Sequence, residues 1–236
     1  MAKVPDLQTW DPQTIEVPFA SLMLASRKSG KSTLIRSLWD STLSQHFQVV
    51  ITMCPTDFDE DYAETFPGIL NYQEFRPDAL ERAMQIQQQR RETGQPRLQI
   101  LVVLDDCSDD GEKHSKLLQK LYTRGRHYDI SVIFSTQATS LTGPVWRNNS
   151  DLVFIGRQMS AVDRDTVIDL FLKGMVGDDM LPVSGSKRLG EKRVLRQIAT
   201  KYTKDHGFLV VDYVHGTGDL EDTLFKYKAP PLTRLA

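Results

Sequence analysis

The sequence predicts an α/β fold in which a mainly parallel sheet is flanked by helices. Apolar runs typical of buried strands alternate along the chain with segments of helical periodicity, which is the pattern of parallel sheets. The polar residues that carry chemistry follow the ends of these runs, where parallel sheets place their ligands. With 236 residues, the chain is long enough for one such domain with a large buried core.

Composition excludes several classes of protein. Hydrophobic residues make up 40% of the chain and charged residues 25%, as in soluble globular proteins, and no apolar run approaches the roughly 18 residues of a membrane span. We therefore expect no membrane span, and the first residues show no signal-peptide pattern. A net charge of −2 argues against a protein that coats DNA. Cys54 and Cys107 are the two cysteines, which favours a reducing compartment, and the histidine spacing predicts no zinc site.

The first predicted strand, residues 19–24, runs into a polar stretch that we call the phosphate loop, Ala25–Thr33. A helical pattern follows it, so backbone N–H groups at the helix start can converge on an anion. Lys31 adds a charge for the β- and γ-phosphates, the Ser32 hydroxyl can ligate Mg²⁺, and Gly30 permits close approach. The predicted phosphate-binding residues are Ser26, Arg27, Lys28, Ser29, Gly30, Lys31, Ser32 and Thr33.

This loop departs from the usual Gly-x-x-x-x-Gly-Lys-[Ser/Thr] pattern at its first position, which holds Ala25. Alanine is small, and the first position mainly turns the chain out of the strand, so the departure weakens the match only modestly. The alternative is a polar helix cap that contains Gly-Lys-Ser by chance.

The next elements are a helix to about Ser44 and a strand over residues 48–53. Residues 55–67 are acidic and turn-rich, which predicts a surface loop. Pro77 opens a further helix. In that helix we expect Leu80, Ala83, Met84 and Ile86 to face inward and the glutamines at 85, 87, 88 and 89 to face solvent.

An almost wholly apolar strand over residues 98–104 ends in Asp105-Asp106. Mg²⁺ bound to a nucleotide takes one carboxylate near the phosphate-loop hydroxyl, and Asp105 suits that position. Asp106 suits a base that orients or deprotonates the attacking water. The alternative is that both aspartates start a turn and cap the helix that follows.

Another buried strand, residues 130–134, finishes in Ser135-Thr136-Gln137. The neutral amide of Gln137 can sense a γ-phosphate and hold the lytic water, although glutamine is also an ordinary turn residue.

The rest of the chain predicts a strand over 151–155, a helix capped by Ser160 that reaches about Leu172, a loop over 174–190 rich in glycine, a helix through 194–202, and closing strands over 208–214 and 223–227. Two basic clusters are candidates for contact with a polymer, although a solvated helix face also explains the first. They are Lys187, Arg188, Lys192, Arg193 and Arg196, and, second, Arg124, Arg126 and His127.

Four segments together carry a family resemblance: residues 29–33, residues 104–106, the block 125–137 that runs from Gly-Arg-His to Gln137, and Arg147-Asn148. They resemble the genome-packaging ATPases of double-jelly-roll and large DNA viruses, relatives of poxvirus packaging proteins in the FtsK–HerA superfamily. The resemblance covers roughly residues 18–215 and implies a P-loop NTPase fold of the ASCE type, RecA/FtsK-like. It also implies that the strand leading to Gln137 lies between the strands leading to Lys31 and Asp105.

The resemblance further implies an ATPase that uses ATP and Mg²⁺ to move double-stranded DNA, independent of sequence, into a viral capsid. Implied partners are capsid or portal vertex proteins and other copies of the chain in a ring, hexamer or pentamer. The implied location is the host cytoplasm or virus factory, or the virion vertex. The ATPase domain then covers 18–215, and a C-terminal strand and tail cover 216–236. Residues 1–17 contain Pro5, Pro12 and Trp10 without clear periodicity, which predicts an arm that packs on the domain rather than an element of its core.

In such rings an arginine from one subunit stabilises charge at its neighbour's nucleotide, and Arg147 and then Arg126 are the candidates. A salt bridge or carbonyl contact within one subunit is the alternative for both. Many relatives carry Glu where this chain has Asp106, so the role of base is less firmly assigned than that of Asp105. The loop over 174–190 is the candidate moving part of the motor.

Other functions remain open on the sequence alone. A cellular or plasmid DNA pump of the same superfamily is disfavoured, because the sequence shows no N-terminal membrane span or large accessory domain. A non-motor nucleotide switch is disfavoured by the aspartate pair and Gln137. A nucleoside-monophosphate kinase would need an arginine-rich lid, and we see none.

Overall fold

The computed structural model describes residues 4–57, 61–66, 70–107, 116–137, 144–177, 180–181 and 186–231. The strands are β1 (Ala20–Leu24), β2 (Val49–Met53), β3 (Leu70–Tyr72), β4 (Ile100–Asp105), β5 (Ile130–Thr136), β6 (Leu152–Ile155), β7 (Gly207–Asp212) and β8 (Leu224–Lys228). The α-helices are α1 (Lys31–Ser41), α2 (Asp61–Thr65), α3 (Pro77–Glu92), α4 (Lys116–Arg124), α5 (Pro144–Asn148), α6 (Ala161–Val167), α7 (Lys187–Tyr202) and α8 (Leu220–Thr223). Short 3₁₀ helices cover Pro12–Thr14, Leu43–Gln45 and Gly125–Tyr128, and a π-helical turn, Ile168–Leu172, extends α6.

The described strands form one eight-stranded sheet in the order β3-β2-β4-β5-β1-β6-β7-β8. The strands from β3 to β6 in this order are parallel, and β7 and β8 are antiparallel to their neighbours. The predicted α/β fold with a mainly parallel sheet is confirmed, as is the position of β5 between β1 and β4. Register places Leu24 opposite Thr136 and Asp105 opposite Ser135, so three strand ends reach the same level of the carboxyl edge.

Helices cover both faces of the sheet, as buried parallel strands require. On one face, Leu34, Ile35 and Leu38 of α1 pack against sheet residues such as Phe154 and Phe208. On the other face, apolar residues of α3, α4 and α7 pack against alternate residues of the same strands. No helix among the described residues is long and apolar enough to cross a membrane.

The first residues of the chain contribute to the core. Trp10 is 3% exposed and makes edge contacts with the rings of Phe154 and Tyr227 at centroid distances of 5.2 and 5.5 Å. The backbone N–H of Trp10 also donates to the Lys226 carbonyl on β8 at 2.9 Å. We predicted an arm that packs on the domain without being a core element. For Trp10 that prediction is wrong, because its ring needs a large apolar surface and β6 and β8 provide one.

The acidic stretch 55–67 is more than a surface loop. Residues 58–60 and 67 lie outside the described residues, but α2 places Tyr62 and Phe66 in the core, 2% and 0% exposed. The Phe66 ring packs on Trp39 of α1 at 4.8 Å and stacks with Tyr62 at 5.7 Å. The prediction failed because two aromatic side chains outweigh the acidic residues around them in deciding burial.

The predicted orientation of α3 is wrong at two positions. Ile86 is 40% exposed and Gln87 is 0% exposed, whereas Leu80, Ala83 and Met84 are buried as expected. The Gln87 Nε2 donates to the carbonyls of Leu98 and Tyr128, and its Oε1 accepts from the Leu98 N–H at 3.1 Å. Gln87 thus forms hydrogen bonds with backbone groups just before β4 and β5. Because those buried groups need partners, the Gln87 side chain faces inward.

Gln87→Ala is expected to lower the free energy of unfolding by about 2 kcal/mol, because backbone groups are left buried and unpaired. Urea unfolding measures this loss. Gln88→Ala is the matched control, since Gln88 is exposed and its side chain bonds to Glu92 in the same helix. A Gln87→Ala value equal to that of Gln88→Ala would contradict the structural role.

Several predicted boundaries shift. The strands predicted over 98–104 and 208–214 are Ile100–Asp105 and Gly207–Asp212. The first helix ends at Ser41 rather than near Ser44, and a 3₁₀ turn follows. The helix α7 begins at Lys187, inside the predicted loop over 174–190. Residues 178–179 and 182–185 of that loop lie outside the described residues. The cap at Ser160 is present, and its hydroxyl accepts from the Asp163 N–H at 2.9 Å.

Candidate nucleotide-binding site

The phosphate loop connects β1 to α1 at the carboxyl edge of the sheet. Lys28 and Gly30 have positive φ angles of 56° and 92°, and Gly30 is the N-cap of α1. This curvature lets successive N–H groups face one point, which is how loops of this kind bind anions. Arg27, Lys28, Ser32 and Thr33 are exposed there, so their groups are accessible to a ligand.

The structure explains why alanine is tolerated at the first position of the loop. Ala25 is fully buried, and its methyl group packs against Gly156. A Cβ on Gly156 would lie only 2.6 Å from that methyl group, so a larger residue than glycine does not fit there. Gly156 follows β6, the strand next to β1. Gly156, which follows the neighbouring strand, therefore leaves the room that the Ala25 methyl group needs.

Lys31, Ser32 and Asp105 meet as the sequence predicts. Lys31 is 7% exposed and its Nζ donates to the Ala25 carbonyl at 3.1 Å, so the ammonium lies beneath the loop. The Ser32 Oγ donates to Asp105 Oδ2 at 2.7 Å. A hydroxyl and a carboxylate in contact at the start of α1 form the pair that a nucleotide-bound Mg²⁺ uses.

Tyr62 is a site residue that the sequence does not reveal. Its hydroxyl donates to the same Asp105 Oδ2 at 2.7 Å. Burial is the main cause that holds the pKa of Tyr62 well above its usual range, and the negative charge of Asp105 adds to it. Tyr62 therefore stays a neutral donor that fixes the carboxylate. Burial likewise raises the pKa of nearby Cys54 to about 11, so this cysteine is a neutral thiol. Nothing in the local sequence distinguishes Tyr62 from an ordinary core tyrosine.

The residues present fit a divalent cation held mostly by ligand phosphate and water. Asp105 Oδ1 is buried and has no hydrogen-bond partner among the described residues, so one acceptor of this carboxylate remains for a cation or its water. No group of three or more His, Cys, Asp or Glu in the described part of the chain could hold a metal by itself. Mg²⁺ is typically bound in this sparse way at nucleotide sites.

Asp106 and Gln137 form a second pair beside the first. The Gln137 Nε2 donates to both carboxylate oxygens of Asp106, at 2.8 and 2.7 Å. Asp106 has a positive φ of 56°, and its N–H donates to the Ser135 carbonyl at 3.1 Å. The phosphate loop, the two aspartates and Gln137 line a single cavity of about 240 Å³ at the carboxyl edge. The geometry can hold a polyphosphate with a carboxylate and an amide at its far end.

The two candidate finger arginines lie away from this cavity in their own chain. Arg147 is half-buried on α5, and its Nε has no hydrogen-bond partner among the described residues. Trp146 anchors α5 by stacking on Phe134 at 5.0 Å. Arg126 precedes β5 at the amino edge, and the seven residues of β5 separate the two edges by roughly 20 Å.

Arg126 has an electrostatic partner in its own chain. Burial raises the pKa of Asp151, and the hydrogen bond from the Ala20 N–H and the charge of Arg126 oppose that rise. Arg126 and Asp151 line the same polar cavity of about 270 Å³. A role within one subunit therefore has a stronger basis for Arg126 than for Arg147.

The two basic clusters lie in different surroundings. In the first cluster, Lys192 contacts Asp169 at 2.6 Å and Arg196 makes a two-pronged contact with Asp165. These pairs support the interpretation of α7 as a solvated face. In the second cluster, Arg124 and His127 are exposed and line a cavity with Arg91 and Arg97.

A further segment, which the sequence marks only by the helix cap at Ser160, supports the phosphate loop. We call residues 156–160, which join β6 to α6, the β6–α6 segment. The Arg157 carbonyl accepts from the Ser26 N–H at 3.0 Å, and the Ser26 Oγ accepts from the Met159 N–H at 3.0 Å. The Gln158 Nε2 donates to the Leu24 carbonyl at 3.1 Å. The loop is thus held by its neighbouring strand connection before any ligand arrives.

Comparison with known proteins identifies relatives in large DNA viruses. The uncharacterized protein 015R of Frog virus 3 (isolate Goorha) is 26% identical over 204 residues, which cover 86% of this chain and 59% of that protein. The chain therefore spans less than two thirds of this relative's length.

Solved structures share the fold. The DNA-packaging ATPase B204 from Sulfolobus Turreted Icosahedral Virus matches with a TM-score of 0.62 at 12% identity, over 92% of this chain and 100% of that chain. The genome packaging NTPase B204 from Sulfolobus turreted icosahedral virus 2 in complex with AMPPCP matches with a TM-score of 0.58 at 15% identity, over 94% of this chain and 100% of that chain.

The family assignment rests on a longer stretch than any single motif. The model of the Poxvirus A32 protein family matches residues 12–141, more than half of the chain. This range includes the phosphate loop, both aspartates and Gln137. It agrees with the resemblance that these motifs carry, and the chain belongs to the Poxvirus A32 protein family.

Proposed function

We propose that this protein is an ATP-hydrolysing motor that moves double-stranded DNA into a viral capsid. The observation that carries the proposal is the convergence of the phosphate loop, Asp105, Asp106 and Gln137 on one cavity at the carboxyl edge. Membership of the poxvirus A32 family and the shared fold with packaging ATPases support DNA as the substrate. The proposed partners are duplex DNA and capsid or portal vertex proteins, and the proposed location is the host cytoplasm, virus factory or virion vertex.

The proposed chemistry follows from the positions of the side chains. Backbone N–H groups of the phosphate loop and the Lys31 ammonium bind the β- and γ-phosphates. Mg²⁺, when bound, neutralises charge on the transferring phosphoryl group, and Ser32 and Asp105 are the residues that would hold it. Asp106 accepts a proton from the attacking water, and the Gln137 amide orients that water. Asp106 and Gln137 bond to each other at 2.7 to 2.8 Å, so a water that accepts from one and donates to the other can be held by both groups at once.

Assembly completes the proposed site. In this proposal a neighbouring copy in a hexameric or pentameric ring supplies the arginine finger, and the fact that Arg147 and Arg126 lie outside the phosphate cavity of their own chain supports it. The unpartnered Arg147 Nε, in the described part of the chain, favours Arg147 over Arg126. Hydrolysis then depends on subunit contact, and DNA held in the ring would promote it.

The test is ATP hydrolysis measured against protein concentration, with and without duplex DNA of unrelated sequences. We expect specific activity to rise steeply with concentration and to increase with every duplex. A mixture of Lys31→Ala and Arg147→Ala proteins should regain activity that neither has alone, because an intact loop then meets an intact finger. Flat specific activity and a silent mixture would contradict a finger from a neighbouring copy.

Tyr62→Phe is expected to raise several-fold the Mg²⁺ concentration that gives half-maximal hydrolysis, because Asp105 loses the donor that orients it. A Mg²⁺ titration of ATPase activity measures the shift. Tyr122→Phe is the matched control, since Tyr122 is also buried and bonds to Ser150. Equal titration curves for both variants would remove Tyr62 from the site.

A further inference from the structure

A second cavity lies at the end of β6, the strand next to β1, and we call it the β6 cavity. It measures about 320 Å³ and lies between the end of β6, α6 with its π-helical turn, and the end of α7. Its walls include Ile155, Val167, Leu172 and Ala199, each no more than 6% exposed. Arg157, Gln158, Arg164, Thr200, Thr203 and Lys204 add polar groups to these apolar walls. A cavity of this size that combines apolar walls with convergent polar groups is typical of a small-molecule site.

One polar group in the β6 cavity lacks a partner. Arg164 lines the cavity, and its Nε is buried with no hydrogen-bond partner among the described residues. A buried donor normally finds an acceptor, since leaving it unpaired costs about 1 to 3 kcal/mol. A guanidinium has donors only, so the missing partner must be an acceptor.

The same chain segments line the β6 cavity and contact the phosphate loop. The Arg157 carbonyl accepts from Ser26, and Gln158 donates to Leu24, while both residues also line the cavity. At the other wall, Lys204 leads into Asp205 and His206, which have positive φ angles of 51° and 63°. That turn places His206 Nδ1 3.3 Å from where a Cβ on Gly30 would lie. Residues that line or adjoin the β6 cavity therefore contact the phosphate loop from two sides.

We propose that the β6 cavity binds the adenine base of the nucleotide whose phosphates the loop holds, with Arg164 donating to a ring nitrogen. The inference rests on the proposed function, because it needs a nucleotide at the loop. Adenine ring nitrogens are acceptors and its faces are apolar, which matches a donor-only side chain within aliphatic walls.

The test compares ATP with inorganic tripolyphosphate, which has the phosphates without the base. Isothermal titration of the full chain gives both dissociation constants. Arg164→Met keeps the alkyl stem and removes the donors, and Ala199→Leu fills the cavity. We expect each variant to bind ATP about tenfold more weakly, equivalent to about 1.4 kcal/mol, with tripolyphosphate binding unchanged. Arg193→Met, at an exposed position of α7, is the control and should bind both ligands as the wild type does.

The outcomes separate this inference from the function on which it rests. If both variants bind ATP as tightly as the wild type, the base lies elsewhere and only the β6 cavity proposal falls. If the wild type binds neither ligand, or Lys31→Ala binds both as well as the wild type does, the phosphate site falls and this inference with it. Equal loss of ATP and tripolyphosphate in Arg164→Met would also overturn it, since the variant would then act on the phosphates.

Discussion

Lys31→Ala is expected to reduce ATP turnover by about 10²- to 10³-fold, because the variant loses the buried ammonium that stabilises charge on the transferring phosphoryl group. Lys31 is held under the loop by its bond to the Ala25 carbonyl. A water molecule that enters the space left by Lys31→Ala is neutral and cannot supply the same stabilisation. Phosphate release under saturating ATP and duplex DNA measures the effect.

The control for Lys31→Ala is Lys173→Ala, an exposed lysine just after the π-helical turn. It changes the net charge equally and should leave turnover unchanged. Urea unfolding of both variants shows whether a loss of activity reflects a loss of fold. Wild-type turnover by a folded Lys31→Ala protein would show that the nucleotide is hydrolysed elsewhere.

Asp106→Asn is expected to lower turnover by about 10²- to 10⁴-fold while ATP still binds, because the base is lost and the phosphate loop is intact. Asparagine tolerates the positive φ of 56° at this position, so the backbone should not change. Single-turnover hydrolysis together with ATP titration separates chemistry from binding.

Gln137→Ala and the double variant complete the experiment for Asp106. The two side chains bond directly, so their effects should not add, and the double variant should be little slower than Asp106→Asn. Turnover that falls by the product of the two single effects would mean that they act independently. Loss of ATP binding in Asp106→Asn would place Asp106 in the binding step instead.

The sequence predicts the carboxyl edge of the sheet well for a physical reason. The phosphate loop, the aspartate pair and Gln137 each follow an apolar strand. Parallel strands bring their carboxyl ends to one edge of the sheet. The contact between Ser32 and Asp105, 73 positions apart, therefore needs only the strand order. That order came from the family resemblance, because periodicity does not determine which strands are neighbours.

The contributions of Tyr62, Gln87 and Arg164 could not be predicted in this way. Each depends on which face of a short element turns inward, and that is decided by tertiary packing. Tyr62 lies in an acidic stretch and Gln87 in a run of glutamines, so local composition indicates exposure for both. A role for Arg164 can be inferred only from the β6 cavity, and the walls of that cavity come from three separate elements.

Backbone strain in this protein gathers near the phosphate loop. In the described part of the chain, the residues other than glycine with positive φ include Lys28 in the loop, Asp106 in the same cavity, and Asp205 and His206 beside the loop. Such conformations cost of order 1 kcal/mol or more each, and they persist at functional sites. Heat-tolerant variants should therefore arise readily through glycine at these positions, and they should be poor enzymes. Selection for thermal robustness and selection for speed would oppose each other within the same few residues.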